Sequence, residues 1–405
     1  MKNNLPMNNL RLLAGLLLGA LLDDGVCAYA QQVVTLEQIF ESAETNSAML
    51  RPSFSAMDEA EKEISVAKTK RLPDIDASMS VSYIGDGFTI KRNFTDYLRA
   101  PIPHLGTGLS LNISQPIYAG GAITDAISMA ELKSTASRYA TELARDNLRI
   151  RLTGFYLDIY KCHNLRNVVE GNITSARLIL AEMNARYEQG TALRNDITRY
   201  ELLLSNLELQ LTKLDNTLKI LNTDLVTISG LPEGSVVVPD STILDRSLPV
   251  QGENWWQQEA VHGAPSLMLA RSGVDISHKA ESLVKAERMP KVGLNAGWNM
   301  DGPILVEVPP INRNLSYWYI GVGVSYNLSS LYRTGKALSK SRAATVKALN
   351  ELEATAENVS LAIHADHVKY MEAYEELKTC QKSIELAERN YLTTVTRYSE
   401  GMALV

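Results

Sequence analysis

The chain has 405 residues and a formal net charge of −6, with a pI near 5.7, so it carries no basic footprint for nucleic acid. Mean hydropathy is −0.10 and no apolar run reaches the roughly 18 residues a transmembrane helix needs; short β-strands of alternating polarity escape that test. Aromatic residues make up only 6%, low for a large globular core and suited to long helices rich in Ala and Leu.

Residues 1–30 have the form of an export signal. Lys2 and Arg11 supply positive charge, Leu12 to Leu22 the apolar core, and Ala28-Tyr29-Ala30 a small-residue cleavage site. A buried N-terminal helix is the competing reading, and Asp23 and Asp24 fit it poorly. Cys27 is preceded at three residues by Asp24 rather than by an apolar residue, so we expect cleavage after Ala30 and no lipid anchor. Cys162 and Cys380 then remain, and disulfides are not the framework. They read as unpaired packing residues on helices.

From Thr35 to Lys70 the apolar spacing predicts a helix, ended by Arg71-Leu72-Pro73. Ile75, Ala77, Met79, Val81 and Tyr83 then alternate with polar residues, which predicts a strand with one oily face. A loop from Gly85 to Leu105 leads to a second alternating strand carrying Leu109, Leu111 and Ile113. Gln115-Pro116-Ile117-Tyr118-Ala119-Gly120-Gly121 hands over to a helix predicted over 122–188, about 100 Å long at 1.5 Å per residue. Arg186-Tyr187-Glu188-Gln189-Gly190 closes it, Gly being the residue that suits a helix reversal. The returning helix, from about Asp196 to Ile228, carries Tyr200, Leu204, Leu207, Leu211, Leu214, Leu218, Leu221, Leu225 and Ile228. The alternating spacing of four and three is a coiled-coil seam.

The programme then repeats. A helix from Trp255 to Glu287 ends at Arg288-Met289-Pro290, an echo of Arg71-Leu72-Pro73 displaced by 217 residues. Strands follow at Val292–Trp298 and Ile320–Leu328, separated by a Pro-containing loop. Tyr332 and Gly335 echo Tyr118 and Gly121 at a displacement of 214, and a second long helix begins. Arg397-Tyr398-Ser399-Glu400-Gly401 repeats the tip at a displacement of 211. We therefore divide the chain into a signal (1–30), a first repeat (31–249) and a second repeat (250–405). The second repeat lacks a return helix, which by analogy would reach about residue 439, some 34 residues further on.

Four alternating strands are too few for a transmembrane barrel, which needs about eight or more, and an open sheet edge is not tolerated in lipid. Strands in a membrane would thus require several copies: two would supply 8, three would supply 12. Tyr83, Trp298, Trp318 and Tyr319, near strand ends, suit an interfacial girdle. A small soluble β-domain on a helical stalk is the alternative from periodicity alone.

Taken together, the signal, the duplicated strand-loop-strand, Gln115-Pro116-Ile117-Tyr118 with Gly120-Gly121, and the Arg-Tyr-x-x-Gly tips resemble the TolC-like outer membrane efflux proteins. The resemblance spans residues 31–405. It implies a mainly α chain with a β-barrel portion: long antiparallel coiled-coil hairpins and four transmembrane strands per chain. Three chains would build an α/β-barrel tunnel, with 12 strands in the outer membrane and helices across the periplasm. The implied function is a passive exit duct of a tripartite efflux or type I secretion system. Its implied partners are outer membrane lipid, a periplasmic adaptor and an inner-membrane transporter. By the same resemblance Arg186, Tyr187, Gly190 and Asp196 match the first periplasmic tip, with Asp196 holding the entrance closed. Arg397, Tyr398 and Gly401 match the second, where Tyr398 would reach a carboxylate such as Asp196. Met402 and Ala403 stand where members often carry a basic residue. Pro116, Tyr118, Gly120, Gly121, Tyr332 and Gly335 would mark the barrel-to-helix junctions.

His364 and His367 lie three residues apart on one helix face, but two ligands without a third make no metal site, and a solvated face is the plainer reading. Cys162-His163 is read the same way. No phosphate loop, nucleophile elbow or paired catalytic carboxylates occur in a strand-to-helix setting. We expect no enzyme and no cofactor. The alternative to a duct is a structural or adhesive coiled-coil protein of the envelope, which would not need the duplicated strands.

Overall fold

The computed structural model describes residues 31–245, 251–307 and 310–399. The expected export signal and Gly401 lie outside the described residues, as does the side chain of Tyr398. Contacts divide the chain into two compact units, Met1–Pro52 with Ala144–Leu248, and Ser53–Leu143 with Pro249–Val405. These cut across the sequence repeat, because the two long strands of each repeat all fall in the second unit.

The first unit holds β1 (Gln31–Val34), α1 (Leu36–Asn46), the greater part of α3 (Ala122–Glu188), α4 (Arg194–Ser229) and β6 (Val236–Pro239). Thr35 opens α1 with a reciprocal cap: Gln38 N donates to Thr35 Oγ1 at 3.4 Å and Thr35 N to Gln38 Oε1 at 3.0 Å. β1 and β6 pair in parallel, Gln31 opposite Val236. Tyr156, 1% exposed, ties this pair to α3: its hydroxyl donates to Val34 O at 2.9 Å and accepts from Asp240 N at 2.7 Å. Asn222 of α4 extends the edge of β6, donating to Ser235 O at 2.8 Å and accepting from Val237 N at 2.9 Å. Ile39, Leu50, Leu152, Ile159 and Leu225 fill the core between these elements.

α3 and α4 form the antiparallel hairpin. Arg166 Nε donates to Asp215 Oδ1 at 2.8 Å and Arg177 Nη2 to Glu208 Oε1 at 2.8 Å, tying the two helices together across the hairpin. Every seam residue expected on α4 is half-buried or buried, while Leu202, Leu203, Leu209 and Ile220 between them are exposed. Full burial is reached at Leu225, near the α4 C-terminus. Leu211 and Leu214 are half-buried.

The second unit contains α2 (Arg51–Thr69) from Ser53 onward, β2 (Asp74–Tyr83), β3 (Gly87–Ile90), β4 (Tyr97–Ala100), β5 (Leu105–Tyr118) and the start of α3. It continues with α5 (Glu253–Gly263), α6 (Pro265–Ala286), β7 (Lys291–Gly302), β8 (Leu315–Ser325) and α7 (Ser330–Ser399). The helix expected over Trp255–Glu287 is two, since Pro265 begins α6 and Ala264 takes an extended backbone. Ala67, Ile127 and Ala130 join α2 to the start of α3. Glu281 joins α6 to α7 through Arg342 at 3.4 Å, and Gln257 Nε2 of α5 donates to Ser360 O of α7 at 3.0 Å.

Candidate functional site

β2, β5, β7 and β8 form one antiparallel sheet in that order, so β2 and β8 are open edges. Directly paired residues share a face. Ile75, Ala77 and Met79 pair with Ile113, Leu111 and Leu109, which pair in turn with Ala296, Trp298 and Met300. Ala296 and Trp298 then meet Ile320 and Trp318, and Leu294 and Val292 meet Val322 and Val324. One face is therefore apolar across all four strands. The other carries Asp76, Ser78, Ser110, Asn112, Asn295, Gly297, Asn299, Tyr317, Tyr319 and Gly321. On that side Ser78 Oγ and Ser110 Oγ lie 2.7 Å apart.

Among the described residues nothing covers much of the apolar face. Met79 is 73% exposed, Trp318 75% and Val324 70%. A patch of this size on a protein surface marks contact with lipid or with another chain. The strands have 10, 14, 12 and 11 residues, enough for the roughly 9–11 that cross a hydrocarbon layer at a tilt. Of the expected girdle aromatics, Trp298 donates Nε1–H to Ser316 Oγ at 3.0 Å, and Tyr83 stacks on His104 at 5.2 Å. Tyr319 belongs to the polar face instead, because a period of two sends neighbouring side chains to opposite sides. Its ring lies over Gly297, where any Cβ would come within 2.6 Å of ring carbons, and its hydroxyl is 3.4 Å from Asn112 Oδ1.

The passage from β5 to α3 runs through Pro116, Gly120 and Gly121. The register of β5 slips between Pro116 and Tyr118, where Pro has no N–H to give the ladder. Gln115 Nε2 donates to Arg71 O at 2.9 Å, joining β5 to the end of α2. Gly120 and Gly121 follow with φ of +66° and +89°, and Asp125, in the first turn of α3, receives Lys279 Nζ at 3.0 Å. The second junction differs. α7 begins at Ser330, so Tyr332 and Gly335 lie in its first turns rather than before it, and Asn327 Oδ1 accepts from Ser329 Oγ at 2.6 Å and Ser329 N at 3.2 Å.

At the first tip Gly190 has φ of +75°, and Thr191 N donates to Arg186 O at 2.9 Å, closing the end of α3. Arg186 also pairs with Glu182. Tyr187 is 44% exposed. Asp196 Oδ2 accepts from Leu193 N at 3.3 Å, so this carboxylate caps the start of α4. Arg397 lies exposed in the last turn of α7. His364 Nδ1 lies 3.1 Å from both oxygens of Glu253, and this hydrogen bond holds the Glu253 carboxyl below its ordinary range. Among the described residues no group of three or more His, Cys, Asp and Glu suits a metal ion.

No protein-family model matches the sequence, and no curated protein does. Solved structures match the fold. The outer-membrane channel OprN superposes with a TM-score of 0.73 at 16% identity, over 91% of this chain and 81% of that one. CusC, whose structures describe folding and transmembrane channel formation, gives 0.73 at 14% identity, over 91% and 83%. The Campylobacter jejuni CmeC outer membrane channel gives 0.68 at 14%, over 91% and 78%. The chain thus has the fold of outer-membrane channels.

Proposed function

We propose that this protein is a TolC-like outer membrane channel, three copies of which close a single 12-stranded barrel. The observation that carries the reading is the two-faced sheet with two open edges. Its apolar face suits lipid, its polar face suits a water-filled bore, and its edges require further strands before they can sit in a membrane. Closure joins β8 of one copy to β2 of the next. Three copies, rather than two, follow the sequence resemblance and the fold shared with OprN, CusC and CmeC. The resemblance also supplies the setting: a periplasmic adaptor, an inner-membrane transporter, and cargo chosen by that transporter rather than by a passive duct.

The gate belongs to the same proposal. Asp196 begins α4 beside the turn, and a tyrosine hydroxyl such as that of Tyr398 can donate to it from a neighbouring tip. A charge-assisted bond contributes about 1.5–3 kcal/mol, enough to bias a closed state that a partner can overturn. Because Asp196 also caps α4, Asp196→Asn is the clean test: it keeps an acceptor for Leu193 N–H and removes the charge. In planar bilayers, Asp196→Asn with Tyr398→Phe should raise single-channel conductance above that of the unaltered protein. Unchanged conductance returns both residues to capping and packing. The barrel itself is tested by mass in detergent, expected at three chains; a stable folded monomer overturns it.

A further inference from the structure

We infer that the corner between β8 and α7 is the seat of Leu72 from a second copy of the chain, an inference that rests on the shared-barrel reading. A cavity of about 590 Å³ lies at this corner, lined by Met289, Lys291, Tyr326, Ser330, Arg333 and Thr334 among others. The corresponding corner one repeat earlier, between β5 and α3, is filled within the chain. There a Cβ on Gly120 would lie 2.5 Å from Met289 Cβ and 2.8 Å from Ala286 O, so the end of α6 packs directly on the glycine. Met289 is brought there because β7, which follows it after Pro290, pairs with β5.

The repeat carries the same arrangement one step on. Leu72-Pro73 precedes β2 as Met289-Pro290 precedes β7. If β2 of a second copy pairs with the open edge of β8, Leu72 arrives at the β8–α7 corner as Met289 arrives at the β5–α3 corner. In the single chain Leu72 is 61% exposed. Charge agrees with this occupant. Lys291 and Arg333 outnumber Glu287 among the charged residues that line the cavity and make no ion pair among the described residues, and the second copy brings Asp74 and Asp76 just after Leu72-Pro73. The Gly120 corner needs glycine because Met289 comes so close. The β8–α7 corner has Thr334, 2% exposed, and Ser330, 6% exposed, as its small buried residues, with an open cavity beside them.

The test places the photo-reactive benzoylphenylalanine at position 72 of the full chain in outer membranes, irradiates, and maps adducts by mass spectrometry. The expected product is a covalent oligomer whose adduct lies on the segment from Tyr326 to Ala337 of another copy. Trimers with adducts only on lipid, or only within one chain, overturn the seat and leave the shared barrel standing. A protein that is monomeric without the substitution overturns the shared barrel and the seat together. Leu72→Ala keeps the test decisive should the bulky analogue fail to fold: the trimer should dissociate at lower temperature on a gel while helix content is unchanged. An unshifted dissociation temperature overturns the seat.

Discussion

The two long helices, α3 and α7, repeat one pattern in different surroundings. In α3, Val169, Ile173, Ala176 and Met183 are between 3% and 6% exposed, because α4 lies along them. The residues one repeat on, Cys380, Ile384, Ala387 and Thr394, are all exposed, and so is every described side chain from Met371 to Arg397. The apolar spacing is shared; burial is not. Periodicity therefore records which face of a helix is made to be covered, while coverage depends on which helix lies beside it. An apolar stripe of this kind stabilises only when another surface removes it from water.

That difference predicts a large contrast between matched substitutions. Leu225, 0% exposed where α4 meets α1 and β6, should lose about 2–5 kcal/mol on Leu225→Ala. Ile384→Ala, at a residue 59% exposed, should change chemical unfolding of the same chain by less than about 0.5 kcal/mol. Equal losses would mean that the far half of α7 is covered in solution. A smaller contrast is expected at the tyrosines that the repeat aligns. Tyr156→Phe leaves Val34 O and Asp240 N without their buried partner and should cost about 1–3 kcal/mol in thermal or chemical unfolding. Tyr370 is half-buried with no hydroxyl hydrogen bond seen among the described residues, so Tyr370→Phe should leave the same measurement unmoved.

The same contrast explains what could be read from sequence. α3 occupies the predicted span, and α4 and the four strands of the sheet fall within a few residues of expectation, because each shows several periods of a repeating pattern. β1 and β6 were not legible: four residues show hardly two periods, and their partners lie some 200 residues apart with no turn between them. The β3–β4 hairpin hides for a similar reason inside the segment expected as a loop, its turn formed by Phe94 and Asp96 at positive φ rather than by Gly. The helix expected over Thr35–Lys70 is two, α1 and α2: Ser47 ends α1 without a Gly, and the one sequence signal of the break is Pro52 in the first turn of α2. At the candidate site, the two-faced character of each strand was readable. The register that sets Tyr319 over Gly297, and the cavity beside α7, were not, because both depend on which strands become neighbours.

The smallest expected effect marks where coverage of α7 ends. Glu253, at the start of α5, meets His364, and beyond Tyr370 no described residue of α7 is even half-buried. The groups facing Glu253 are His364, Gln257 and, more distantly, His367, and the hydrogen bond from His364 is the main cause of its lowered pKa. A carboxyl whose pKa is lower folded than unfolded adds stability above its unfolded value, and that stability is lost as pH falls through the folded value. The contribution of Glu253 should therefore be intact above about pH 4.5 and fade below it. His364 is exposed and Glu253 half-buried, so solvent screens the pair and the effect is local. Amide exchange around Ser360 to His364 should be modestly faster in Glu253→Gln than in the unaltered protein near neutral pH. The two should converge once the pH has fallen through the folded pKa of Glu253, below which both carry a neutral group at this position. A difference that persists at low pH would show that packing of α5 on α7, rather than the charge on Glu253, sets the boundary between the covered and uncovered parts of the helix.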